Sequence, residues 1–264
     1  MKWAIGTAML CLGLAATAAL AQGMMRYIDL SSPEMTSAEM TRGDVEAALN
    51  KATGTAPADF TGKRLSGLDL SGLNLSGAIL RAARLNKTKL ARARLDRAVL
   101  DQAWLVEADL TGASLKGATL FASQMPRANL DGADLSEARV TADLTGARLV
   151  GASIAYARLG ADMRNQSMGL LRAVLKSANL ERVNARGADM SRVDLEFASL
   201  KGADLTGASL KRAELGGADL TGVIVVDTDF DGADLGSAKL IAPIGLDKAK
   251  NFDSAKNRER LIRE

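Results

Sequence analysis

The chain has 264 residues, with 34 Lys and Arg against 31 Asp and Glu, no His, one Cys and 3% aromatic residues. So even a balance of charge argues against a dedicated nucleic-acid binder. Without His or paired Cys there is no imidazole for acid–base work and no disulfide.

From the amino terminus, Lys2 precedes an apolar run from Ala4 to Leu20, and Ala19-Leu20-Ala21 offers small residues at both cleavage-determining positions. Residues 1–21 are therefore expected to be a secretory signal peptide cut after Ala21. The run approaches spanning length, but its Ala- and Gly-rich composition and terminal cleavage signal favour removal over anchoring. Cys11 follows Leu10 rather than a small residue, which speaks against lipoprotein attachment. The expected product is periplasmic or secreted, with no Cys and no transmembrane segment.

Residues 22–57 form an N-terminal segment. Its first part, 22–40, is polar and Met-rich and is expected to be partly disordered. Thr41-Arg42-Gly43-Asp44 has capping-box spacing, with Asp in place of Glu, ahead of Val45, Ala48, Leu49 and Ala52, with Gly54 as a stop. This predicts a helix over 42–52 that closes the first coil of a repeat body.

From Phe60 a large apolar residue recurs every fifth position, through Leu65, Leu70, Leu75 and Leu80 to Leu130, Leu135 and Val140. A small residue, as at Ala83, Ala93, Ala103 or Ala113, stands two places before most of them. Five residues advance an α-helix by about 500°, so successive Leu positions would never share a face. A spacing of two within the unit suits a strand, and a spacing of three between units demands a corner. Glycines such as Gly62, Gly67, Gly112 and Gly132 fall two places after the Leu, where that corner is expected. The chain therefore coils over 58–240, with Leu and Ala inward and three positions in water. Each turn pairs with its neighbours, and stability comes from stacking. Such a core, copied from one small unit, needs few aromatics.

The register slips by one through Leu144, Leu149, Ile154 and Leu159, and is restored after Gly160–Gly169. Leu159 and Leu170 are eleven apart, which reads as a bulge; a binding loop is the alternative. Residues 241–264 are expected to cap the far end with a last irregular coil and a short charged helix from Ala255 to Arg263.

The recurring Ala-Asp-Leu-Xaa-Xaa, as in Ala108-Asp109-Leu110-Thr111-Gly112 and Ala203-Asp204-Leu205-Thr206-Gly207, closely resembles the pentapeptide-repeat family. The resemblance covers 58–240. It implies an all-β solenoid, a right-handed quadrilateral parallel β-helix with four pentapeptides per coil and short helical caps. It also allows a C-terminal tail that makes a homodimer. Some members act on DNA gyrase by presenting a DNA-like acidic rod. DNA mimicry of this kind is the alternative function, and the signal peptide and the basic first half both count against it.

No catalytic constellation is visible, and no cofactor or metal is implied. Asp residues occupy the outward middle position, where nothing is expected to shift their titration. Asp227, Asp229 and Asp231 have carboxylates two apart, yet the glycine-rich nonapeptide of calcium-binding β-rolls is missing. Charge along the chain is more informative. Residues 60–100 hold nine basic side chains against Asp69 and Asp96, and 189–235 hold ten acidic against four basic ones. Arg81, Arg84, Lys87, Lys89, Arg92, Arg94 and Arg97 form a candidate basic patch toward anionic partners; solubilising surface charge is the plainer reading. With twenty residues per coil, Ile79 and Val99 become outward neighbours, and Trp104, Val106 and Phe121 lie close by. This apolar group is either a contact site or packing beneath residues 22–57. The expected function is a non-catalytic scaffold that binds a protein or an anionic envelope component.

Overall fold

The computed structural model describes residues 29–161 and 171–264. The signal-peptide reading and Leu170 lie outside these residues. Within them the chain is a β-helical solenoid built from single paired residues rather than continuous strands. The residue before each inward Leu pairs in parallel with its counterpart one coil on, for example Asp59 with Ile79, Arg64 with Arg84, Asp69 with Lys89 and Asn74 with Arg94. Four such ladders run the length of the molecule. The first goes from Asp59 to Lys250, the second from Arg64 to Lys256, the third from Asp69 to Ile262 and the fourth from Asn74 to Ile244. Ten rungs on the first three ladders give a rod about 43 Å long at ~4.8 Å per coil.

One unit shows why the motif has this composition. Leu110 and Ala108 are fully buried. The Ala113 N–H donates to the Leu110 carbonyl at 2.9 Å, closing a turn around Thr111 and Gly112. Gly112 sits at φ +63°, as the third residue of a type II turn must. The Asp109 carboxylate accepts both the N–H and the hydroxyl of Thr111, at 3.0 and 2.6 Å, and so braces the corner. Between coils, Leu110 N–H donates to the Asn129 carbonyl and Asp109 N–H to the Thr88 carbonyl. Each buried Leu contributes about 1.5–3 kcal/mol, and stacking removes the backbone groups from water in the same step. Where a polar residue takes the small inward site, it donates to a carbonyl: Thr88 to Leu65, Ser123 to Leu120 and Thr228 to Leu205.

Two irregularities interrupt the count without turning the ladders. The Val140 unit is one residue short, so Gln124 pairs with Asp143 and Arg139 with Arg158 at a spacing of nineteen. The next coil spans thirty-one residues, Asp143 pairing with Val174 and Arg158 with Asp189. Ala173 is the first inward position described after Leu159, and its N–H donates to the Leu159 carbonyl at 3.0 Å. The break is thus an eleven-residue insertion at one corner, not a bulge.

Both ends are closed. Helix α1 (Pro33–Thr36) and helix α2 (Arg42–Lys51) precede the first coil. Helix α2 carries the expected capping box, Thr41 with Asp44, and buries Val45 completely. Residues 29–40 are more ordered than their composition suggests: Met35 is buried and Ala38 pairs antiparallel with Leu65. At the far end the expected helix over 255–263 does not form. Gly245, Asn251 and Asn257, spaced by six, adopt left-handed backbone, and each starts a short 3₁₀ turn. The last coil therefore uses six-residue units, which a continuous helix would have to run through. Asn251 and Asn257 hook their amides onto Asp229 and Asp234 of the coil before. Phe252 meets Phe230 edge to face, and Arg258 lies over the Phe252 ring.

Candidate interaction surface

The apolar group divides in three dimensions. Ile79 and Val99 stack as partners on the first ladder. Trp104 stands on the second ladder between Arg84 and Gln124. Phe121 occupies the corner between these two ladders and is 38% exposed. Val106 does not belong with them: it is buried at the next corner, between the second and third ladders. Its N–H donates to Asn86 Oδ1, while Asn86 Nδ2 donates to the Met35 carbonyl. The N-terminal segment thus covers Val106 and leaves Ile79, Val99, Trp104 and Phe121 reachable. The role of Asn86 as the anchor of that segment was not visible in the sequence, because a corner amide looks like any other solvated polar residue.

The basic residues do not make a patch. Arg84, Lys89 and Arg94 sit on the second, third and fourth ladders. Arg81, Lys87, Arg92 and Arg97 occupy the four corners of the same coil. Seventeen residues of sequence nearly complete one twenty-residue coil, so the cluster becomes a girdle. Only Lys87, paired with Glu107, and Arg94, beside Asp96, have ion-pair partners among the described residues. Arg92 and Arg97 hold the left-handed corner position at φ +55° and +57°. Their Cγ atoms lie 3.7 Å from where a Cβ on Gly112 or Gly117 would stand, one coil on. Tyr156 and Phe197 use the same device over Gly187 and Gly217, and stand 68% and 63% exposed. The sequence signal for this was available: a bulky residue at the glycine position followed by Gly one coil later.

The Asp residues are less uniform than expected. At Asp59 the Thr61 hydroxyl, and then its N–H, hold the carboxyl below the ordinary range. Burial pushes Asp204 up, but Thr206 and Arg186 outweigh it and the net shift is downward. Asp194 goes the other way, raised first by burial and further by the neighbouring Glu214. Arg172, just past the insertion, spans this region. Its guanidinium grips both Glu214 oxygens at 2.7 Å and donates to the Arg192 carbonyl at 2.9 Å. Asp227 pairs with Lys250 and Asp229 with Lys211, while Asp231 accepts from Ser254, so these three carboxylates are engaged by protein groups. Among the described residues no group of His, Cys, Asp or Glu is arranged to hold a metal, and no helix is long and apolar enough to cross a membrane.

A family model described as pentapeptide repeats matches residues 58–97, 93–120, 113–141, 170–207, 188–225 and 198–236, more than half of the chain. No curated protein matches. Among solved structures the chain is similar to HetL, a pentapeptide repeat protein involved in heterocyst differentiation regulation from the cyanobacterium Nostoc sp. strain PCC 7120. That likeness has 28% identity over 82% of this chain and 94% of that one, with a TM-score of 0.40. It is also similar to full-length QnrB1, a plasmid-mediated fluoroquinolone resistance protein, at 16% identity over 71% and 90% of the two chains, TM-score 0.33. Rfr23 from the cyanobacterium Cyanothece 51142 matches at 20% identity over 44% and 64%, TM-score 0.27.

Proposed function

Because the chain belongs to the pentapeptide-repeat family, we propose that it is a non-catalytic binding scaffold, exported to a bacterial periplasm or exterior, whose first coils dock a protein or anionic envelope component. The family pattern supports a right-handed, quadrilateral sense for its coils. One observation carries the reading. Ile79 and Val99 on one ladder, Trp104 on the next and Phe121 between them are partly exposed and adjacent, at positions that the repeat mostly fills with polar residues. Arg81 and Arg84 flank them and have no ion pair among the described residues. An apolar centre with a cationic margin suits a partner that is apolar in the middle and acidic at its rim. Export rests on the apolar run from Ala4 to Leu20 and the Ala19-Leu20-Ala21 signal. A DNA-mimicking, topoisomerase-binding rod is the alternative, and the girdle of basic side chains around the second coil counts against it.

Cell fractionation tests export: the expected result is a processed chain beginning at Gln22 outside the cytoplasm, and a cytoplasmic full-length chain overturns it. Docking is tested by crosslinking in envelope extract with wild-type protein and Trp104→Ser. The variant should keep its circular dichroism, since Ala103 and Leu105 are untouched and buried, and should lose the partner. Retention of every crosslink refutes the surface.

A further inference from the structure

Far from that surface, the corner between the first and second ladders opens into a groove beyond the insertion. A cavity of about 560 Å3 is lined by Arg192, Arg212 and Lys256, by Glu214, Asp231 and Asp234, and by Ala213 and Gly232. That volume is within the range of small-ligand sites, ~300–1,000 Å3. Arg192 and Arg212 hold the same left-handed corner position in consecutive coils, at φ +62° and +55°. Stacking sets their backbones ~4.8 Å apart. Arg212 then lies over Gly232, where an added Cβ would stand 3.4 Å from the Arg212 Cγ.

The acidic and basic walls of this groove are not equivalent. Each carboxylate already has a protein donor. Arg172 takes both oxygens of Glu214 at 2.7 Å. Asn257 and the Gly236 N–H take Asp234, at 2.7 and 2.9 Å. Ser254 takes Asp231 at 3.1 Å. Among the described residues Arg192, Arg212 and Lys256 have no carboxylate within 4.0 Å, and neither guanidinium donates a hydrogen bond. Two guanidinium groups lining one groove repel each other. A single anion with several oxygens, set between them, would satisfy both.

We propose that this groove binds a phosphate-type dianion, with Arg192 and Arg212 as its forks and Lys256 as a third charge. The dianion is either free or the terminal group of a lipid. The inference does not depend on the docking surface of the first coils.

Calorimetry with inorganic phosphate at low ionic strength is the test. One ion per chain is expected, with binding at least tenfold weaker in Arg192→Gln/Arg212→Gln. Arg182→Gln serves as the control, since Arg182 takes the same left-handed position at another corner, also over a glycine. Cosedimentation with phosphatidic acid vesicles separates the two sources. Sedimentation lost in the double variant, without uptake of free phosphate, keeps the site and assigns it to a headgroup. Equal binding by the double variant and wild type in both assays overturns the site. So does uptake of several phosphates that Arg182→Gln weakens as much.

Discussion

The contacts over each glycine corner allow a sharp test of how neighbouring coils constrain one another. Gly132 and Gly217 adopt almost the same backbone, φ +65° and +67°. A Cβ built on Gly132 meets nothing within 4 Å, because Gly112 precedes it in the column. A Cβ on Gly217 would stand 2.7 Å from two ring carbons of Phe197. Gly132→Ala should therefore carry only the left-handed penalty, about 1–2 kcal/mol. Gly217→Ala should carry that penalty plus the displacement of a ring, another ~1–2 kcal/mol on the scale of overpacking. Phe197→Ala removes the obstacle, so Phe197→Ala/Gly217→Ala should return to the left-handed penalty alone. The coupling expected between the two sites is within the ~0.5–3 kcal/mol seen for residues in contact. Urea denaturation followed by circular dichroism reads each value as a shift of midpoint at constant slope. If the two glycine variants lose equal stability, or the double variant is additive, the account of the corner columns is wrong.

The same geometry has other consequences. Leu110→Lys should abolish cooperative melting by burying an unpaired charge, whereas Asp109→Ser should lose little, since Ser can still brace Thr111; equal thermal shifts would refute the inward and outward assignment. Glu214→Gln leaves the Arg172 guanidinium, whose side chain is 17% exposed, without its anion, and should cost about 1–2 kcal/mol given a partner that is partly in water. An unchanged melting temperature would dismiss that clamp. Asp59 and Asp234 titrate below the ordinary aspartate value, held down by the Thr61 hydroxyl and by the Asn257 amide respectively. A carboxyl lowered in the folded state stabilises it above the unfolded value, ~3.9, and that stabilisation is lost as pH falls through the folded value. The melting temperature should accordingly hold from neutrality to about pH 4 and drop below it. Asp194 has the opposite sign. Burial raises its carboxyl, so its charge disfavours the fold at neutral pH, and Asp194→Asn should raise the melting temperature at pH 7 and leave it unchanged at pH 3.

The repeat body was legible because its instruction is local and repeated. Leu110 or Ala113 reads as inward from five neighbouring residues, and the structure buries both. Helix α2 was equally clear, since Thr41 and Asp44 carry their capping bond within four residues. What escaped was whatever depends on the coil as a whole. Arg81 to Arg97 look like a patch when counted along the chain, but a stretch nearly one coil long visits every side. The five-residue spacing is the same on either side of the break, which hid the thirty-one-residue coil from Asp143 to Val174. Ala249, Ala255 and Leu261 had shifted to a period of six. A charged stretch such as Lys256 to Arg263 also has the composition of a short helix, and Asn257 in left-handed backbone decides against it.

The four ladders make direction around the axis a function of residue count. Removing twenty residues shortens the rod by one step and leaves every later side pointing where it did. Removing five shifts everything beyond the cut to the neighbouring side, a quarter turn relative to what came before. The groove of Arg192 and Arg212 and the surface of Trp104 and Phe121 share one edge of the rod only because the shortened Val140 unit and the insertion after Leu159 each alter a corner and spare the phase. Excising a single pentapeptide between them would keep both sites intact and set them on different sides. For any partner long enough to touch both, that angular offset would matter more than the loss of any one side chain.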